Sequence, residues 1–174
     1  MAHELASSKD MAYVGETPWH GLGNKLPTNQ PIEVWQQQAG MNFEIKQTSV
    51  LFNAATGDGN ILNLRSNPDA TVLYRSDTNE PLSVVSKRYK VVQPKDVLEF
   101  YRDLVKAGGF EIETAGVLKG GKKLWALAKT GQETLLPGLD KVKAYLLLAT
   151  SCDGSLATTA QFCSISPPKI GIRN

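Results

Sequence analysis

The chain has 174 residues, 41% of them hydrophobic, and 19 Lys and Arg stand against 17 Asp and Glu for a formal net charge of +2. That length suits one domain able to bury an apolar core without disulfides or metals, and so balanced a charge excludes any case for an anionic partner from bulk electrostatics. Two cysteines, Cys152 and Cys163, are too few for the disulfide framework of a small secreted domain. The charged N-terminus lacks an apolar run and the longest apolar stretch is 144–149, so a cytoplasmic protein with no signal peptide and no membrane span is expected.

Residues 1–30 are rich in Gly, Pro, Asn and Thr, and their apolar residues follow neither a helical nor a strand period, which predicts an irregular N-terminal arm. From Pro31 a short helix is expected. Proline suits a first helical turn, Ile32, Val34, Trp35 and Ala39 fall mostly on one side, and Gly40 is a stop. Four β-favouring runs follow, 50–52, 61–64, 71–75 and 82–85, separated by turn-forming residues at 56–59, 67–69 and 79–81; they predict an antiparallel meander.

The strongest helix signal covers 94–107, where Val97, Leu98, Tyr101, Leu104 and Val105 recur at helical spacing before Gly108 and Gly109, and this helix is expected to pack across one face of the meander. Two further runs, 111–118 and 123–129, flank Lys119-Gly120-Gly121-Lys122, whose glycines permit the positive φ angles of a tight hairpin. Residues 135–140 read as a loop and 141–149 as another strand. The order of meander, one long helix and further strands predicts an α+β fold with a largely antiparallel sheet. The domain is expected over 31–162, with the arm before it and an atypical tail over 163–174.

Chemistry-bearing residues are sparse. His20, in Thr17-Pro18-Trp19-His20-Gly21-Leu22-Gly23, is a candidate acid, base or ligand because imidazole titrates near neutrality; the simpler reading is a Trp-anchored turn in which the ring hydrogen-bonds backbone. His3, His20, Cys152 and Cys163 lack the C-x-x-C and H-x-x-x-H spacings of a zinc site, so no metal is expected. Cys152, beside Asp153-Gly154-Ser155, is the one candidate nucleophile, and no base accompanies it. Gly57-Asp58-Gly59 and Gly108-Gly109 lack the Lys-Ser/Thr of a phosphate loop, while Gly21-Leu22-Gly23 lacks the strand-to-helix setting of a dinucleotide fingerprint. No catalytic residue and no cofactor is assigned.

The basic residues are more informative. Lys87-Arg88-Tyr89-Lys90 precedes the long helix, and Lys119, Lys122 and Lys123 crowd the hairpin tip. Strand alternation puts Lys123, Trp125 and Lys129 on one face, and Lys141, Lys143 and Tyr145 on one face of a second strand. If those strands pair, cations and rings share a face suited to single-stranded nucleic acid: cations neutralise phosphates, and each stacked base is worth about 1–3 kcal/mol. Lysines at strand edges and hairpin tips also deter edge pairing, and a lone strand Trp is usually core, which is the plainer reading. The expected nucleic-acid-binding set is Lys87, Arg88, Lys122, Lys123 and Lys143 at phosphates, with Tyr89 and Trp125 stacking.

Several motifs in order carry a resemblance: His3-Glu4-Leu5, Pro18-Trp19-His20-Gly21-Leu22-Gly23, Val34-Trp35, Pro81-Leu82-Ser83-Val84-Val85-Ser86 with Arg88-Tyr89, Thr114-Ala115-Gly116 with Gly120-Gly121, and Tyr145-Leu146-Leu147. Together they resemble the phage- and plasmid-encoded proteins of the domain-of-unknown-function 932 family, to about Phe162. The resemblance implies a mobile genetic element and a host-cell cytoplasm, and brings no established reaction or catalytic residue. The chain then departs from the family's pattern. It reads Cys163-Ser164-Ile165-Ser166-Pro167-Pro168 where members continue into a segment rich in Val, Arg, Cys and Asn and a further C-terminal part, and a truncated or frame-shifted member is expected.

The function expected is that of an accessory protein binding single-stranded nucleic acid in replication or recombination. One alternative is a protein-interaction module, such as an inhibitor of a host defence complex, docking through a sheet edge or the arm. A second is an uncharacterised enzyme using His20 or Cys152.

Overall fold

The computed structural model describes residues 8–18, 20–54, 63–135 and 141–165. Apolar residues at helical spacing build two helices. α1, Ile32–Gln38, starts after Pro31 at φ −65° and buries Ile32 and Trp35. α2, Pro94–Gly108, begins with a capping box: the N–H of Gln93 donates to Asp96 Oδ2 at 3.0 Å, the Gln93 side chain accepts in return from the Asp96 backbone, and Gly109 ends the helix at φ 67°. Arg102 of α2 pairs with Glu33 of α1 at 2.6 Å and with Glu99 one turn back at 2.6 Å.

The strands are β1 Met11–Val14, β2 Asn24–Leu26, β3 Ile45–Asn53, β4 Leu64–Arg75, β5 Pro81–Ser86, β6 Glu111–Leu118, β7 Lys123–Leu135, β8 Lys141–Ser151 and β9 Thr159–Ile165. They form a six-stranded sheet in the order β2-β1-β6-β7-β8-β9 and a three-stranded sheet β3-β4-β5; every pairing is antiparallel except β1 with β2. The α+β class and the largely antiparallel sheets agree with the sequence reading. One core serves both sheets, with Leu124, Ala126, Ala128, Leu146 and Leu148 from the larger, Ile45, Leu73 and Leu82 from the smaller, and Val97, Leu98 and Tyr101 from α2. The Tyr101 hydroxyl lies 2.8 Å from the carbonyl oxygen of Ala126 and 3.0 Å from that of Leu146, so its single proton ties the helix to β7 and β8.

Three expectations are corrected. α2 packs on β7 and β6, not across the meander, because the alternating apolar residues of β6–β8 present the wider apolar face; the meander reaches the same core through Ile45, Leu73 and Leu82. The N-terminal region is not wholly irregular. Met11, Ala12 and Tyr13 are buried and β1 pairs with β6, Ala12 opposite Ala115, so a strand too short to show a period is fixed by a partner a hundred residues away.

Asn67-Pro68-Asp69 lies inside β4 and does not separate two strands. Its turn chemistry persists, since the N–H of Asp69 donates to Asn67 Oδ1 at 2.9 Å, but it produces a register shift between Ser49 and Leu51 on β3 where Pro68 needs no ladder partner. β9 runs past Phe162 to Ile165, pairing with β8 throughout. The readings placed on residues 1–7, Trp19, 55–62, 136–140 and 166–174 lie outside the described residues.

Candidate nucleic-acid interface

The hairpin joining β6 to β7 needs three consecutive residues at positive φ: Lys119 at 53°, Gly120 at 68° and Gly121 at 105°. Glycine suits this backbone, and at Gly121 a Cβ would also approach the Phe43 ring to 3.0 Å. The turn is tied down from several sides. The N–H of Cys152, just past β8, donates to Lys122 O at 2.9 Å. Arg75, closing β4, donates from Nη1 to Gly120 O at 3.1 Å, stacks its guanidinium 3.9 Å from the Phe43 ring centroid and pairs with Asp77 at 2.7 Å.

The corner between β5 and α2 reaches the same place. Tyr89 donates its hydroxyl to Ser151 O at 2.6 Å, and Ser83 of β5 donates to Cys152 O. Lys87 donates its backbone N–H to Asp69 O at 3.0 Å, and its side chain and that of Arg88 face solvent. Thus the end of β8 binds both the Lys87-Arg88 corner and the Lys119–Lys123 turn. Lys87 and Arg88 on one loop and Lys119, Lys122 and Lys123 on the other therefore flank the end of β8, together with the carboxylates of Asp69, Asp77 and Asp153. Burial works against ionisation of Asp153, but the Ser155 hydroxyl and N–H, Ser151 and Lys123 together hold it below the usual carboxylate range.

The remaining residues of the expected set are placed differently. β7 and β8 do pair with Lys129 opposite Tyr145, so Lys123, Trp125, Lys129 and Tyr145 share a face. Lys143 lies opposite Glu133, eight residues along β8 from Ser151, or about 26 Å at the rise of a strand. It does not join the basic end. Lys129 pairs with Glu113 at 3.0 Å, and Tyr145 is buried.

Both expected stacking rings are engaged in the fold. Tyr89 packs against the core; burial pushes its phenol up, with Cys152 and Asp153 adding to the effect. Trp125 lies opposite Gly116, where a Cβ would come within 3.2 Å of the indole Nε1 and 2.6 Å of Asp10 O, so a glycine is what lets the ring lie across β6. That Nε1 is shielded from solvent and has no hydrogen-bond partner among the described residues.

The enzymatic candidates gain no support. His20 Nδ1 accepts from the Leu22 N–H at 3.1 Å in a turn closed by Gly21 N–H to Pro18 O at 2.8 Å, which is the backbone-bonding role. Cys152 is buried, and burial followed by the Asp153 carboxylate pushes its thiol up to about 11, the opposite of an activated nucleophile. Among the described residues no three His, Cys, Asp or Glu side chains cluster as a metal site, and no helix is long and apolar enough to cross a membrane.

Arg75 and Ser83 position the basic end, Gln93 braces β3 against α2, and none of the three was singled out by sequence reasoning. Gln93 is the clearest case, since its side chain bonds both backbone groups of Ile45, accepting at 2.8 Å and donating at 3.0 Å, and so fixes β3 to the start of α2. Its local signal was the Gln-x-x-Asp capping pattern ahead of an apolar run.

Residues 81–166 match the family described as Domain of unknown function (DUF932), which supports the family assignment. The matched segment runs from β5 through β9 and contains every residue of the expected binding set. No curated protein and no solved structure matches the chain.

Proposed function

From a chain whose β5–β9 segment matches a family with no known reaction, we propose a non-enzymatic accessory protein of a phage or plasmid that binds single-stranded nucleic acid in replication or recombination. The reading rests on one observation. The end of β8 draws the Lys87-Arg88 corner and the Lys122-Lys123 turn together through the Tyr89–Ser151 and Cys152–Lys122 hydrogen bonds. Five cations on these two loops outnumber the carboxylates of Asp69, Asp77 and Asp153 placed with them and suit a phosphate backbone, and a single strand is flexible enough to follow cations set on two loops. With Tyr89 and Trp125 engaged in the fold, phosphate contact carries the affinity and base stacking adds little.

Titration of a fluorescent single-stranded oligonucleotide and its duplex at several salt concentrations tests this. Replacing Lys122 and Lys123 with Ala should weaken binding and flatten the slope of log K against log salt by about 0.7 per lost contact on a single strand. Lys143→Ala, about 26 Å away along β8, serves as the control and should leave the slope unchanged. A slope indifferent to the Lys122 and Lys123 changes would overturn the assignment.

A second reading, a protein-interaction module such as an inhibitor of a host defence complex, is favoured by the exposed Leu51, Phe52, Leu64 and Val84 of the small sheet. Recovery of one defined host protein from nuclease-treated lysate, lost on Val84→Asp, would support it over the first.

A further inference from the structure

The end of α2 carries a stripe that the core does not use. Arg102, Val105, Lys106 and Gly109 recur at the three- and four-residue spacing of one helix face. Together with the start of α1 and the Val14 end of β1 they border a cavity of about 370 Å³, a volume within the range of small-ligand sites. Its floor is Ile32 and Trp35 of α1 and Ile112 of β6, all buried. Val105, 41% exposed, and Phe110 form a wall. Phe110 folds back onto the helix end because residue 108 is glycine, where a Cβ would come within 3.0 Å of the ring. Every lining residue, and the chain next to it on both sides, belongs to the described residues.

Charge and shape narrow what can fill this space. The guanidinium of Arg102 is already matched, by Glu33 at 2.6 Å and Glu99 at 2.6 Å. Glu111 borders the cavity, but it stands opposite Lys129 while its neighbour Ile112 stands opposite the core residue Ala128, so strand alternation turns its carboxylate to the face away from the helices. Lys106 is then the one lining cation without an ion pair among the described residues. The rim at Thr28, Asn29 and Gln30 is polar, so the apolar floor is reached by a small body entering the cavity and not by the flat surface of another protein.

We propose that this cavity binds a small apolar carboxylate, its apolar part over Trp35 and Ile112 and its carboxylate at the Lys106 ammonium. A single negative charge matches the single unpaired cation, and the apolar part takes Val105 and Phe110 out of water. The cavity opens at the Glu111 end of β6, whereas the basic turn follows Leu118 at the other end, so this inference does not rest on the nucleic-acid reading.

Titration of phenylbutyrate, and of phenylbutanol as the same body without the charge, into the isotope-labelled full chain tests it by NMR. Both should shift the methyl signals of Ile32, Val105 and Ile112, with the acid binding about fivefold more tightly. Lys106→Ala should erase that difference by weakening the acid alone, whereas a lysine that only offsets the carbonyls ending α2 would leave both affinities as they were. Val105→Trp should fill the cavity and abolish binding of both compounds, with thermal unfolding unchanged because the side chain it replaces is partly exposed. No shift by either compound up to about 10 mM, where even millimolar affinity registers, equal affinity for acid and alcohol, or binding that survives Val105→Trp would each overturn the proposal.

Discussion

The two sheets share an alternating apolar pattern and differ in what lies over it. In the six-stranded sheet Leu124, Ala126 and Ala128 of β7 and Leu146 and Leu148 of β8 point at α2 and are buried. In the three-stranded sheet Thr71 and Leu73 of β4 are buried, but beyond the bulge around Pro68 the same strand leaves Leu64 58% exposed, and Val84 of β5 is 63% exposed. Alternation tells which face a side chain takes. It does not tell whether anything covers that face.

If this contrast is correct, removing a core anchor from the larger sheet costs far more than trimming the smaller one. Tyr101→Ala should lower stability by about 3–5 kcal/mol, through lost packing and a lost tie to β7 and β8, whereas Val84→Ala should stay within about 0.5 kcal/mol. Urea unfolding of both variants measures this directly, and equal costs would erase the distinction between the sheets.

Alkaline pH should act mainly on the larger sheet and its β8 end. Cys152 is held protonated, its thiol raised from 9.0 to about 11, and burial also raises the phenols of Tyr101 and Tyr145. A raised folded pKa means the native state binds the proton more tightly than the unfolded chain. Stability from Cys152 is then fully present below about pH 9 and declines as pH rises toward 11, at up to about 1.4 kcal/mol per pH unit. Cys152→Ala should flatten the slope of stability against pH in that window; an unaltered slope would remove the thiol from the account.

A more local effect concerns the seam between the sheets. Arg75→Met keeps the apolar stem but removes the bond to Gly120 O, the ion pair with Asp77 and the cation over Phe43. It should cost about 1–2 kcal/mol and speed amide exchange at the Lys119–Gly121 turn without affecting α2. Faster exchange in α2 would mean that the seam supports the whole core.

How much was legible in the chain depended on how local each signal was. Both helices could be read because proline entries, apolar spacing and glycine stops lie within a few residues of one another, and the Gly120-Gly121 hairpin because its backbone angles demand glycine. β1 was not legible: four residues carry no period, and its partners Ala115 and Gly116 lie far along the chain. For the candidate interface, residue type identified Lys87, Arg88, Lys122 and Lys123, but the same reasoning grouped Lys143 with them and left Tyr89 and Trp125 as open rings.

By itself, then, the sequence determined the class of fold, the helices, the central hairpin and the positions of the basic residues, because these depend on local backbone preference and on side-chain chemistry. Tertiary structure decided which sheet α2 covers, that Asn67-Pro68-Asp69 bulges a strand and does not reverse it, and that the end of β8 gathers two basic loops while Lys143 stays remote. Those outcomes depend on which distant surfaces bury each other and on which carbonyls, Ser151, Cys152 and Lys122 among them, find a donor, and no short window of residues contains both partners.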